Sequence, residues 1–118
     1  YLLYSAVRIK SILRKAQARG LGPGDFVPAA SGVERDLVLA LCAFPDAVEK
    51  ACAERAPNHL CEFGYVLARA FSRFYMDCHV LSATDPAVQG SWLRLCSLCL
   101  RELTTVLDLL GIEVPERM

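Results

Sequence analysis

Five side chains near the start of the chain have the types and spacing of a surface that binds nucleic acid. They recur every three or four residues and would share one helix face: Tyr1, Tyr4, Arg8, Ser11 and Lys15. Aromatic rings stack on unpaired bases, at about 1–3 kcal/mol for each base, and cations meet the phosphates. RNA loops are the usual sequence-specific target of such surfaces. The same spacing fits tyrosines that rim a hydrophobic core with solvated hydroxyls, so spacing alone leaves both interpretations open.

The charges of the chain are distributed unevenly, although 13 basic and 13 acidic residues give a net charge of zero. The first 19 residues contain five basic side chains and no acidic one: Arg8, Lys10, Arg14, Lys15 and Arg19. Residues 20–118 therefore carry eight basic and 13 acidic groups. This asymmetry fits a local anion-binding face. A merely solvated helix face is the alternative.

The elements that must position these side chains are helices, because apolar residues recur at intervals of three and four and no stretch alternates with period two. The sequence predicts an all-α, single-domain bundle of about five helices over residues 1–118. The predicted helices are 1–18, 32–43, 45–55, 58–78 and 91–110, with a connector at 80–91 and a non-helical tail from 112. Ser31 or Gly32 is expected to cap the second helix and Asn58 the fourth.

The last predicted helix is apolar over a wide arc, which places it in the centre of a bundle. Its main stripe steps by three and four: Trp92, Cys96, Cys99, Leu103, Val106 and Leu110. Gly64 lies inside the fourth predicted helix, at a cost of about 1 kcal/mol relative to alanine. We therefore expect another element to approach the backbone there.

Composition and motifs exclude several classes of protein. With 118 residues, 54% of them hydrophobic, the chain can form one core, and it contains no apolar run long enough to span a membrane. The first residues lack the basic segment of a signal peptide, so we expect a compact cytoplasmic domain. The six cysteines are expected to be reduced and mostly buried, since Cys96 and Cys99 form a lone C-x-x-C without a second metal-binding pair. We predict no catalytic residue, metal ligand or cofactor in this chain.

Several runs of the chain resemble, in order and spacing, those of arginyl-tRNA synthetases. The opening YLLYSAVRIKSI at 1–12 resembles the family's Y-x-x-Y-A-x-x-R-I-x-S-I run, and LLGIEVPERM at 109–118 resembles its ending. APNHLC at 56–61 and AFSRFY at 70–75 match between them. Because these runs cover nearly the whole chain, it resembles the C-terminal, DALR-type anticodon-binding domain of that family, of bacterial type.

The resemblance implies a helical bundle that grips the anticodon loop of arginine tRNA. Residue by residue, it implies that Tyr1, Tyr4 and Arg8 lie on the anticodon face, that Tyr75 adds a ring, and that Met118 folds into the same pocket. By their charge, Arg8 and Lys15 are expected to contact phosphates, with Lys10 and Arg14 as further candidates.

The resemblance also implies a parent arginine–tRNA ligase whose catalytic domain, with ATP, arginine and Mg, is absent from this chain. The expected partners are therefore arginine tRNA and that catalytic domain. Two alternatives remain at this point: a free-standing helical protein-interaction module, and the anticodon domain of a related class I synthetase.

Overall fold

Five α-helices and one short 3₁₀ helix make up the regular structure of residues 1–116, the part of the chain that the computed structural model describes. They are α1 (Leu2–Ala18), α2 (Gly32–Cys42), α3 (Phe44–Glu54), α4 (Asn58–Asp77), the 3₁₀ helix Val80–Ser82 and α5 (Pro86–Leu109). No strand occurs within residues 1–116. The predicted all-α bundle is confirmed.

The start of α2 is capped as predicted. Ser31 Oγ accepts a hydrogen bond from the Glu34 N–H at 3.3 Å, which satisfies one of the free amides of the first turn. Glu34 is buried, and its carboxylate accepts hydrogen bonds from Trp92 Nε1 at 2.9 Å and from the Ala30 N–H at 3.2 Å. This carboxylate therefore links α2 to α5 as well as favouring the helix start.

The predicted cap at Asn58 was wrong. Asn58 is already helical, and the preceding Pro57 occupies the cap position without a side-chain hydrogen bond. The proline ring holds φ at −67°, which is compatible with a helix, so the chain enters α4 one residue earlier than predicted.

The last helix also begins earlier than the sequence predicts, at Pro86 rather than at about residue 91. Asp85 Oδ1 caps it by accepting a hydrogen bond from the Ala87 N–H at 2.9 Å, and Pro86 suits the first helical position. Gly90 lies inside this helix, where its carbonyl accepts a hydrogen bond from the Gly24 N–H at 2.9 Å. A Cβ on Gly90 would lie 3.2 Å from the Gly24 Cα, so the glycine permits a close backbone contact.

The apolar stripe predicted for the last helix forms the centre of the core. Cys96, Cys99, Leu103 and Val106 are fully buried on α5. This helix packs against α1, α2 and α4. Its predicted central position is therefore confirmed.

Gly64 permits the close approach that the sequence predicts at this position. A Cβ on Gly64 would lie 2.9 Å from Cδ1 of Leu2 and 3.6 Å from Cγ1 of Val106. The first turn of α1 therefore rests directly on the α4 backbone. This contact helps to determine where Tyr1 meets Tyr65 and Ser72 of α4.

Half of the cysteines depart from the expected burial. Cys78, Cys96 and Cys99 are buried, whereas Cys42, Cys52 and Cys61 are exposed on helix surfaces. Burial raises the pKa of the Cys96 thiol to about 12 and that of Cys99 well above its ordinary value, which keeps both protonated. Within residues 1–116, no group of three or more His, Cys, Asp or Glu side chains is placed to hold a metal ion. In the same range, no helix is both long and apolar enough to cross a membrane.

Glu102 on α5 predicts a pH-dependent stability. Its side chain is buried, and burial raises its pKa from 4.5 to about 7. The folded chain thus holds this proton up to about pH 7, whereas the unfolded chain releases it near pH 4.5, so this contribution to stability falls as the pH rises between these values. We expect Glu102→Gln to stabilise the fold by about 1–3 kcal/mol at pH 8 and to have little effect at pH 4.5. Urea unfolding of both chains across this range measures the difference, and parallel stability curves would contradict it.

Candidate nucleic-acid interface

Helices α1 and α4 lie side by side and run in the same direction. The Tyr1 and Ser72 hydroxyls share a hydrogen bond of 3.3 Å near the start of α1. Further along, Arg8 of α1 lies over the ring of Tyr75 of α4, and beyond the ends of both helices Arg19 Nη1 donates to the Leu81 carbonyl of the 3₁₀ helix at 3.3 Å. Because the contacts advance together along both helices, side chains of α1 and α4 form one continuous surface.

Tyr75 is the best-fixed ring of this surface. It is half-buried and stacks on the buried Phe71 ring, with 5.9 Å between centroids and 12° between planes. The Arg8 guanidinium carbon lies 5.0 Å from the Tyr75 centroid, within the range of a cation–π interaction. The structure thus brings together Arg8 and Tyr75, two of the residues chosen by resemblance.

The first two tyrosines are exposed rather than part of the core rim. Tyr1 and Tyr4 leave 58% and 59% of their surfaces accessible. Tyr4 lies one turn after Tyr1 and one turn before Arg8 on the same face of α1. Of the two interpretations of their spacing, this exposure favours rings that a ligand can reach over tyrosines at the rim of the core.

Lys15 is exposed two turns beyond Arg8 on the same face of α1. Lys10 and Arg14 lie on another face, where both pair with Glu116 of the tail, at 3.4 and 3.6 Å. Lys10 Nζ also donates to the Val114 carbonyl at 3.1 Å. The expectation that Lys10 and Arg14 join the phosphate contacts therefore lacks support, because the tail occupies them. The predicted role of Met118 lies outside the described residues.

Sequence reasoning missed three side chains of α4. Tyr65 is 49% exposed, with its ring centroid 5.4 Å from that of Tyr1, and the Arg69 guanidinium carbon lies 5.6 Å from the Tyr65 centroid. Ser72 follows on the same face and bonds Tyr1. Residues 65, 69 and 72 have the helical spacing that marked α1, so this signal was present in the sequence. We call the surface formed by these and the α1 residues the α1–α4 face: Tyr1, Tyr4, Arg8, Lys15, Tyr65, Arg69, Ser72 and Tyr75.

An apolar cavity of about 390 Å³ lies elsewhere, between the 26–29 loop, α2 and α5. Phe26, Val38 and Leu39 line it and are exposed. It shares no residue with the α1–α4 face. The cavity and the α1–α4 face are therefore separate features of the surface.

Exposed tyrosines and arginines on two adjacent helices have the side-chain chemistry of surfaces that stack unpaired bases and contact phosphates. Comparison with known proteins identifies the family. The model of the DALR anticodon binding domain matches residues 2–118, and the chain belongs to this family. The resemblance drawn from the sequence motifs is confirmed.

Relatives named arginine–tRNA ligase match over the whole chain. The ligase of Maricaulis maris is 51% identical and that of Alkaliphilus oremlandii 43% identical, each over 100% of this chain and 20% of the relative. The solved arginyl-tRNA synthetase of Thermus thermophilus superposes with a TM-score of 0.82 at 34% identity, over 100% of this chain and 21% of that one. The chain thus spans about a fifth of the length of these relatives.

Proposed function

We propose that the chain is the anticodon-binding part of an arginyl-tRNA synthetase and binds the anticodon loop of arginine tRNA. The observation that carries this proposal is the juxtaposition of Arg8 and Tyr75 beside the exposed rings of Tyr1 and Tyr4. Family membership supports the same conclusion independently of that geometry.

In this proposal, unpaired bases stack on the tyrosine rings, while Arg8 and Lys15 contact the phosphates. Stacking suits a loop because its bases can leave the helical stack at little cost, whereas paired bases cannot. The ring of Tyr75 is already fixed by Phe71, so little side-chain freedom is lost on binding. Met118 would close the pocket, as the resemblance implies.

The direct test measures binding of this chain to an arginine tRNA anticodon stem-loop by fluorescence anisotropy. We expect tighter binding than to the same stem with a scrambled loop, and tighter than to the stem-loop of another tRNA. Equal binding to all three would contradict the proposal, and preference for another loop would favour a related synthetase. A free-standing protein-interaction module would show no preference for RNA.

Lys15 provides a separate prediction through its charge. Lys15→Ala should reduce the slope of log K against log salt concentration by roughly 0.7, because one phosphate contact of a single strand is lost. Lys50, exposed on α3, is the matched control, and Lys50→Ala should leave the slope unchanged. Equal slopes for wild type and Lys15→Ala would contradict the assigned contact.

This chain matches about a fifth of each arginine–tRNA ligase, which supports a proposal about a longer parent protein. We propose that it attaches arginine to its tRNA in the cytoplasm, with ATP, arginine and Mg held by a catalytic domain that is not part of this chain. A tethered domain acts at a high effective concentration. The isolated chain is therefore expected to bind tRNA more weakly than the full-length ligase does.

A further inference from the structure

A second tyrosine–arginine pair lies on the α1–α4 face, away from Arg8 and Tyr75. The Arg69 guanidinium lies 5.6 Å from the Tyr65 ring centre, much as Arg8 lies 5.0 Å from that of Tyr75. Tyr65 lies outside the hydrophobic core, and 49% of its surface is exposed. Its neighbours in contact are Arg69 and the tilted ring of Tyr1.

We propose that Tyr65 and Arg69 form a second nucleotide subsite, which takes a further unpaired nucleotide of the RNA strand held at Tyr75. This inference rests on the proposed function, because it concerns the same RNA strand. In this subsite the base stacks on the Tyr65 ring, and Arg69 contacts the phosphate of the same or the adjoining nucleotide.

The arrangement of Arg69 over the ring is compatible with this role because the guanidinium can move. At an exposed site, a cation–π contact is weaker than the stacking of a base on an aromatic ring. A base can therefore displace Arg69 from the ring face, and the freed cation gains a phosphate partner. Arg69 keeps its positive charge and stays within the subsite during this exchange.

The distance between the two tyrosine–arginine pairs suits two nucleotides that are close on one strand but not adjacent. Tyr65 and Tyr75 are ten residues apart on α4, which corresponds to about 15 Å along the helix axis. Stacked nucleotides advance by roughly 3.4 Å each, and unstacked ones by more. The α4 surface thus has room for about three nucleotides, and the bonded hydroxyls of Tyr1 and Ser72 lie between the two rings.

The experiment uses this chain, an RNA stem-loop carrying the arginine anticodon, and a set of the same stem-loops with one abasic nucleotide at each loop position. Tyr65→Ala is expected to weaken binding about tenfold, and Tyr65→Phe to retain it. At the loop position whose base stacks on Tyr65, an abasic nucleotide should weaken binding to wild type but not to Tyr65→Ala. The corresponding position for Tyr75→Ala should be a different one. Arg69→Gln should lower the salt slope by roughly 0.7. Val66→Ala, exposed on a different face of α4, is the control and should bind as wild type does.

The outcomes separate this inference from the proposed function. If wild type prefers the arginine loop and Tyr75→Ala weakens it, but Tyr65→Ala and Arg69→Gln bind normally, the second subsite is overturned and the proposed function stands. If wild type shows no preference for that loop, both are overturned. Tyr65→Leu keeps an apolar side chain, smaller than tyrosine and without a π-face, so a loss of binding in Tyr65→Leu with unchanged urea unfolding supports stacking and not folding as the cause.

Discussion

Replacing Phe74 with alanine is expected to lower the free energy of unfolding by about 3–5 kcal/mol. Phe74 is fully buried on α4, with its ring centroid 6.1 Å from Phe71 and 6.1 Å from Trp92, which it meets edge-on. Alanine would remove both aromatic contacts and leave a cavity between α4 and α5 that rigid helices cannot close. Urea unfolding followed by circular dichroism measures the change.

The matched control for this prediction is Phe26→Ala. Phe26 is 56% exposed in the loop before α2, so its truncation should change stability by no more than about 0.5–1 kcal/mol. Comparable losses in the two variants would contradict the assignment of Phe74 to the core. Because Tyr75 follows Phe74 directly, a loss of RNA binding in Phe74→Ala is expected to accompany the loss of stability.

The second large effect is expected when the rings of Tyr4 and Tyr75 are removed together. Each ring that stacks on a base contributes about 1–3 kcal/mol, so the double alanine variant should bind the arginine stem-loop at least about 30-fold more weakly. Tyr4 is exposed and should contribute little to stability. Tyr75 packs on Phe71, so part of its effect could arise from the fold.

A double phenylalanine variant at the same two positions separates these contributions. Phenylalanine retains both the stacking surface and the contact with Phe71, and it removes only the hydroxyls. We expect this variant to bind within about threefold of wild type, with unchanged urea unfolding. Equal losses in the alanine and phenylalanine variants would show that the rings do not stack on bases.

The sequence predicted those parts of the fold in which apolar spacing and burial coincide. The stripe through Cys96, Cys99 and Leu103 specifies both a helix and its central position, since a helix must bury so wide an apolar arc. Gly64 predicted a close approach because nothing else justifies a glycine within that helix. The exposed Tyr1 and Tyr4 were found from their polar neighbours at helical spacing.

Features that depend on tertiary contacts could not be read from the sequence. Gly90 resembles a loop residue until its contact with Gly24 is seen, and this obscured the first turn of α5. Lys10 and Arg14 differ from Arg8 only in their helix face and in the tail that meets them. Tyr65 and Arg69 have a helical spacing in the sequence, but only the contact between the Tyr65 and Tyr1 rings shows that they share a surface with α1.

The pairing of the tail with α1 has an electrostatic consequence for how a polyanion approaches. Glu116 offsets the charges of Lys10 and Arg14 on one flank of α1. Within residues 1–116, no carboxylate lies within ion-pairing distance of Arg8 or Lys15 on the other flank. The positive charge of α1 that no described carboxylate offsets therefore lies on the flank of the tyrosine rings, and under the proposed function it would turn an incoming RNA toward those rings before any contact forms.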